Sequence, residues 1–260
     1  MQKSWLIVLG AVAAVSLPLQ AQAIDWTLGA GAGVAPDYEG SEDYEPVPLW
    51  NVRAGNLYHK DTYAQIFATR FRSNLLPHDN FRLGLAGQYV GKRDDVDNDA
   101  VDSLRSTDDG FLLGALIGYD FKLDGNRVIG VEFEPRYDVG DNIGGLFTGR
   151  TTYLAPFGGG SWVFRGSAEV TYASEDYMSE YFGISGADSA RSGLNTFNAD
   201  ADFKDVAFGA TLTYKFTENW NVTGLATYTR LLGDAADSPV VDDEGNENQF
   251  FGGLTINYKF

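Results

Sequence analysis

The chain has two histidines, His59 and His78, and no cysteine. A hydrolase triad needs a base within hydrogen-bond reach of an activated serine. Both histidines fall in stretches that read as turns, His59-Lys60-Asp61 and Leu76-Pro77-His78-Asp79-Asn80, and no serine is paired with either. Two acidic runs have metal-like character. Asp94-Asp95-Val96-Asp97-Asn98-Asp99 resembles part of a calcium loop, but counting from Asp95 it has Ala100 where the loop needs glycine and Ser106 where it needs a bidentate glutamate. Asp242-Asp243-Glu244-Gly245-Asn246-Glu247 is similarly incomplete. Both read as solvated loops, with weak divalent bridging to lipopolysaccharide phosphates as the alternative. Gly29-Ala30-Gly31-Ala32-Gly33 suggests a phosphate loop, yet that motif requires a strand before it and a helix after it. Here the glycines lie inside an alternating segment that ends at Pro36. A small face where backbones approach closely is the expected role. These residues set the expectation of no catalytic, cofactor or metal site and no enzyme activity.

The elements that carry them are strands. In the last twelve residues, Phe250, Leu254, Ile256, Tyr258 and Phe260 share one face, while Gly253, Thr255, Asn257 and Lys259 share the other. That is period-two alternation. An apolar strand ending on an aromatic fits the closing strand of a transmembrane β-barrel, with lipid outside and a polar lumen inside. It also resembles the C-terminal signal that outer-membrane barrels show to their assembly machinery, so Phe260 is the expected point of recognition. The pattern repeats along the chain. Trp26 to Val34, Phe81 to Tyr89, Phe111 to Phe121, Ile129 to Tyr137, Trp162 to Tyr172, Val206 to Phe216 and Trp220 to Tyr228 all alternate, and Val47 to Ala54 and Thr148 to Pro156 read as further strands. A soluble sandwich or lipocalin-like barrel would turn polar faces outward. Here the outward faces are the apolar ones.

The segment Leu57 to Arg72 is the least regular. Split at His59-Lys60-Asp61 into a very short and a longer strand, it gives twelve strands; left as one connection, it gives ten. Twelve is the expectation. Short links (Asp124–Asn126, Phe157–Gly160, Thr217–Asn219) alternate with long ones (Lys92 to Asp109, Glu175 to Asp202, Gly233 to Asn248). That is the asymmetry of an outer-membrane barrel with short periplasmic turns and long outer loops. It places Trp26, Phe81, Phe121, Trp162, Phe216, Trp220 and Phe260 at the periplasmic rim and Tyr89, Tyr172 and Tyr228 near the outer one. These make two aromatic girdles.

Lys3, the apolar run Trp5 to Leu19 and Ala21-Gln22-Ala23 form a secretory signal peptide, residues 1–23, leaving 24–260 as the barrel. No later stretch has the roughly 18 continuous apolar residues of a spanning helix. The mean hydropathy of -0.20 suits a lipid face spread over alternate residues. Without cysteines, the fold rests on hydrogen-bond closure. A formal charge of -17, much of it in the loops, excludes nucleic acid as a partner.

The inward row is mixed in sign: Arg82, Glu132, Glu134, Arg136, Arg165, Glu169, Asp205 and Lys215. Facing charges in a narrow barrel are expected to pair, because an unpaired charge away from water is costly. The lumen is then either a thin aqueous path or is plugged by a loop, for which Glu175 to Asp202 is the candidate.

Three stretches stand out together: Pro36-Asp37-Tyr38-Glu39-Gly40-Ser41, Tyr181-Phe182-Gly183-Ile184-Ser185, and the run from Arg230 through Leu231-Leu232-Gly233-Asp234 to Ser238-Pro239-Val240-Val241. With the closing Tyr258-Lys259-Phe260, they resemble the MltA-interacting protein / OmpV family of Gram-negative outer-membrane proteins. The resemblance covers residues 24–260. It implies an integral outer-membrane protein that touches lipid and lipopolysaccharide. The family's best-known member is linked to a lytic transglycosylase and a bifunctional murein synthase, which implies a scaffold for peptidoglycan-remodelling enzymes. A narrow channel for small solutes is the alternative, and a surface adhesin a third. The resemblance supplies no catalytic motif. A scaffold would act through its periplasmic turns, Leu75 to Asn80, Phe157 to Gly160 and Thr217 to Asn219, used together, because a stable interface takes roughly 800 Å² per partner.

Overall fold

The structure, a computed structural model, describes residues 24–140 and 143–260; the expected signal peptide lies outside the described residues. Twelve antiparallel strands close into a barrel in sequence order: β1 (Asp25–Pro36), β2 (Tyr44–Gly55), β3 (Tyr63–Phe67), β4 (Arg70–Asn74), β5 (Phe81–Val90), β6 (Gly110–Leu123), β7 (Arg127–Asp138), β8 (Gly145–Phe157), β9 (Trp162–Ala173), β10 (Asp202–Lys215), β11 (Trp220–Leu231) and β12 (Asn248–Lys259). The twelve-strand expectation holds, and no helix among the described residues is long and apolar enough to cross a membrane.

The alternation seen in the sequence becomes two faces. Phe208 is 57% exposed and Leu254 62%, whereas Thr255 on the inner face is 2% exposed. Large apolar groups this exposed all round a closed wall require lipid against them. Both girdles are present. At the periplasmic rim, Trp220 packs on Tyr258 and Phe81 on Tyr119, each pair with ring centroids 4.8 Å apart. At the outer rim, Tyr172 meets Phe203 at 5.5 Å and Tyr228 meets Phe250 at 5.2 Å.

The first and last strands meet at the β1–β12 seam, in register from Thr27↔Lys259 to Val34↔Gly252. Gly29, Gly31 and Gly33 face inward there. A Cβ at Gly31 would fall on the carbonyl oxygen of Leu254, and one at Gly29 on the Asn257 amide. The glycines therefore allow close backbone approach, as expected. Phe260 closes the seam by donating its N–H to the Trp26 carbonyl at 2.9 Å.

One boundary differs from the sequence reading. The segment splits at Ala68-Thr69, between strands of five residues each, while Leu57 to Thr62 forms a periplasmic turn. His59 accepts the Asp61 N–H within that turn, and the carbonyl of His59 receives the Thr62 N–H at 3.0 Å. The chain thus turns at the histidine before β3 begins. Because β3 is short, β2 pairs with it only over Asn51–Gly55, and above that the Trp50 carbonyl takes the Ala68 N–H at 3.0 Å. Pro46 and Pro48 have the same parity as Trp50, so on this unpaired edge of β2 they leave no N–H without a partner.

Five short helices sit in the outer loops: α1 (Asp99–Asp102), α2 (Glu175–Phe182), α3 (Gly186–Ser192), α4 (Gly233–Asp237) and α5 (Pro239–Asp242). The Ser174 side chain caps α2 by accepting the Tyr177 N–H, and Glu175 and Asp176 occupy its first turn. Ser185 and Asp188 form a reciprocal capping box on α3. Tyr177, Met178 and Phe182 of α2 bury against Leu112, Leu146 and Leu231 from three strands, with Val241 joining from α5. Each large side chain so buried contributes about 1.5–3 kcal/mol. The longest loop, the plug candidate, thus packs as a lid over the outer mouth. These loops, which carry no regular period in the sequence, are ordered by that packing.

Candidate functional site

The lumen holds the chain's densest chemistry. Across three adjacent strands, Glu132 (β7), Arg150 (β8) and Glu169 (β9) are register partners, so their side chains form one inward row. Arg150 lies 2.9 Å from Glu169, 3.2 Å from Glu134 and 3.4 Å from Glu132. Arg72 from β4 ion-pairs with Glu132 and, at 2.7 Å, with Glu134. Arg82 of β5 joins Glu132 and Asp120, the latter at 2.7 Å. Glu132 and Glu134 are 6% and 2% exposed. Carboxylates this buried persist only when paired.

The predicted inward row is therefore brought together at Arg82, Glu132, Glu134, Arg136 and Glu169, and it is a structural belt. Asp205 pairs with Lys204 at 2.6 Å at the outer end. Lys204, buried, enters the lumen because a register shift between Phe203 and Asp205 interrupts the alternation of β10. Lys215 sits exposed at the periplasmic end. Arg165 faces inward but makes no ion pair among the described residues. The lumenal residues that sequence reasoning missed are Arg53, Arg70, Arg72, Asp120 and Arg150. The four arginines lie on β2, β4 and β8, where alternation is weakest. Asp120 offered a signal: it stands between the outward Tyr119 and Phe121 on β6, a parity that points it into the lumen.

Above the belt, the lid is tied to the neighbouring outer loops by polar contacts as well as apolar ones. Arg93, buried, donates to the Tyr181 carbonyl at 2.8 Å. The Tyr177 hydroxyl donates to Glu39 at 3.1 Å, and burial, reinforced by the Glu39 charge, pushes that hydroxyl well above its ordinary pKa. Burial also pushes Tyr38 up to about 12. Burial alone would raise Glu180, but Arg105 grips it with two bonds of 3.0 and 2.8 Å and the Asp108 N–H adds a third, so its carboxyl titrates below the usual range. Asp188 behaves alike: against burial, the Ser185 hydroxyl, the N–H groups of Arg105 and Ser185, and Arg191 hold it low.

Below the barrel, the two turns flanking the short hairpin are joined. Lys60 meets Asp79 at 2.7 Å, Tyr58 donates to the Leu75 carbonyl, and Asn74 donates to the Asp61 carbonyl at 2.7 Å. The hydrogen bond and charge of Asp79 raise the Lys60 pKa, and those of Lys60 lower that of Asp79. His78 Nδ1 accepts the N–H groups of Asn80 and Phe81 at 3.1 and 3.0 Å. Both histidines thus shape turns. Of the expected periplasmic turns, Leu75 to Asn80 gains a partner in residues 56–62, part of which the sequence pattern assigns to a strand. Phe157 to Gly160 and Thr217 to Asn219 remain short separate turns. In the acidic run, Asp94 pairs with Lys92 and accepts from Ser106, Asp102 accepts the Val96 N–H, and Asn98 caps α1. Among the described residues, no three histidine, aspartate or glutamate side chains gather as a metal cluster.

A closed wall of lipid-facing strands, two aromatic girdles, short turns at one end and packed loops at the other define an integral β-barrel of the Gram-negative outer membrane. The chain belongs to the MltA-interacting protein MipA family, which it matches over residues 28–260. It is 27% identical to the MltA-interacting protein of Escherichia coli (strain K12) over 93% of this chain and 94% of that one. It is 36% identical to the outer membrane protein OmpV of Vibrio cholerae over 36% of this chain and 34% of that one. Among solved structures, the NanC porin aligns with a TM-score of 0.45 and 9% identity, covering 92% of this chain and 100% of the porin.

Proposed function

We propose that this barrel is a scaffold that anchors a peptidoglycan-remodelling enzyme, a lytic transglycosylase with its murein synthase, at the inner face of the outer membrane. The observation that carries this reading is the match of nearly the whole chain to a family described by its interaction with MltA. The geometry is in keeping with it. The outer loops pack on one another, and the belt links β4, β5, β7, β8 and β9 by ion pairs in the lumen. The surface left for a periplasmic partner is the ring of turns, of which the Lys60–Asp79 pair binds the two broadest into one ledge. A ledge of two linked turns approaches the roughly 800 Å² that a stable interface needs better than any single short turn.

The test is capture of partners by the folded barrel in detergent from periplasmic extract, read by mass spectrometry against an unrelated barrel. Enrichment of murein hydrolases or synthases is expected, together with its loss when Lys60 and Asp79 are both replaced by alanine in a chain that still shows a heat-modifiable gel shift. Equal capture by the unrelated barrel would overturn the scaffold reading. The packed lid disfavours the solute-channel alternative, for which reproducible conductance steps would be the evidence.

A further inference from the structure

Five lumenal arginines, Arg70, Arg72, Arg82, Arg136 and Arg150, already share the four carboxylates Asp120, Glu132, Glu134 and Glu169. Two more arginines make no ion pair with any of the four among the described residues. Arg53 on β2 and Arg165 on β9 come from well-separated parts of the wall, yet each lies within electrostatic reach of the other and of Arg72. Arg53 lies 4.1 Å from the centre of the Tyr63 ring and donates to the neutral Gln65 amide at 3.1 Å. Arg165 makes no hydrogen bond or ion pair among the described residues and is exposed, facing inward near the periplasmic end of β9. An exposed side chain on the inner face means open space in the lumen beside it.

One side of this space is walled by neutral amides. Gln65 donates to Asn51 at 2.8 Å, Asn51 to Asn257 at 3.0 Å, and Asn257 to Asn221 at 3.0 Å, a chain of amides across β3, β2, β12 and β11. Access is from the periplasm: the cleft bounded by Asp25, Asn56, Lys60 and Lys259 reaches Arg53. Guanidinium groups present planar forks that match the oxygens of carboxylate and phosphate. In a chain whose formal charge is -17, an inner surplus of cation is a local feature and not a reflection of composition.

We propose that the periplasmic half of the lumen is a binding site for a small oxyanion, carboxylate or phosphate, held between Arg53 and Arg165. The proposal does not rest on the scaffold reading, because its two arginines lie inside the lumen, although Lys60 of the ledge borders the entrance.

The experiment is isothermal titration calorimetry of the folded full-length barrel in zwitterionic detergent at low ionic strength, with inorganic phosphate in one arm and succinate in the other. Saturable binding of at least one probe is expected. Arg53→Gln with Arg165→Gln should weaken it at least tenfold, and Arg127→Gln, at an exposed periplasmic turn, should leave it unchanged. The arm that binds more tightly identifies the oxyanion class. If the glutamine pair disturbs folding, Arg165→Lys keeps the charge without the fork and should weaken binding severalfold. No saturable heat from either probe, or equal affinity in the wild type and the folded Arg165 variants, would overturn the proposal.

Discussion

Arg150 and Glu169 are register partners on β8 and β9, and their side chains meet at 2.9 Å inside the lumen. Because Arg150 also reaches Glu132 and Glu134, it is the cation on which three carboxylates, two of them buried, converge. Removing one member of a buried ion network leaves the others unpaired in a region of low dielectric, which typically costs about 3–5 kcal/mol. Arg150→Ala is expected to lower the denaturation midpoint of the folded barrel clearly, whereas Arg127→Ala leaves it near that of the wild type. An unchanged midpoint for Arg150→Ala would show that water replaces the arginine at little cost.

At the seam, Gly31→Val should block closure. The branched side chain would fall on the Leu254 backbone, and a clash between paired strands has no flexible group to yield. The expected outcome is loss of the compact, heat-modifiable form. Ala30→Val, one residue away on the lipid face, should fold normally. Normal folding of both would remove the close-approach role given to these glycines.

The lid should loosen in acid before the barrel does. Glu180 and Asp188 both titrate below their ordinary values in the folded chain. Their contribution is therefore complete above the ordinary carboxylate range of about pH 4 and is lost as the pH falls through the lower folded values. Limited proteolysis with an acid-active protease should cut the loop of residues 174–201 increasingly as the pH is lowered below about 4, while the strands stay protected. Loop cleavage that, relative to an unstructured peptide cut in the same reaction, does not rise as the pH falls would place the lid's stability in its apolar core alone.

At the tip of the short hairpin, Ala68 has φ 47, a left-handed conformation that a Cβ disfavours by roughly 1–2 kcal/mol. Ala68→Gly is expected to raise the denaturation midpoint modestly, the relief being partly offset by the greater freedom of glycine in the unfolded chain. A lowered midpoint would mean that the alanine methyl has a packing role.

The long strands were legible because lipid faces and lumen faces differ in chemistry. On β10, Val206, Phe208, Ala210, Leu212 and Tyr214 alternate with Ala207, Gly209, Thr211 and Thr213 without interruption. The short hairpin was not legible for the opposite reason. Tyr63 and Phe67 face inward and Ile66 outward, so both faces of β3 carry apolar groups and the period is lost. Arg150 escaped notice because Gly149 and Thr151 flank it on the lipid face and supply no apolar signal. The lid helices were not legible, because helices of four to eight residues leave too little periodicity to read, and their caps at Ser174 and Ser185 emerge only in the structure. That Arg53 and Arg165 lack acidic partners depends on how every other charge is paired, and only the closed barrel reveals it.

The short hairpin also fixes where the wall is mechanically weakest. β4 and β5 are paired only over Arg70–Arg72, whereas the β1–β12 closure runs from Thr27 to Val34. Below Arg72 side chains carry part of the ladder: the Ser73 hydroxyl takes the Leu85 N–H at 2.8 Å and the Asn74 amide oxygen that of Leu83 at 3.0 Å, before the Leu75 N–H returns to the Leu83 carbonyl at 2.8 Å. A stress that parts the strands meets its least resistance in the interior of the chain, not at the junction of its first and last strands. The barrel's crack line and its assembly seam are different places, and Ser73 and Asn74 are the rivets that hold the crack line shut.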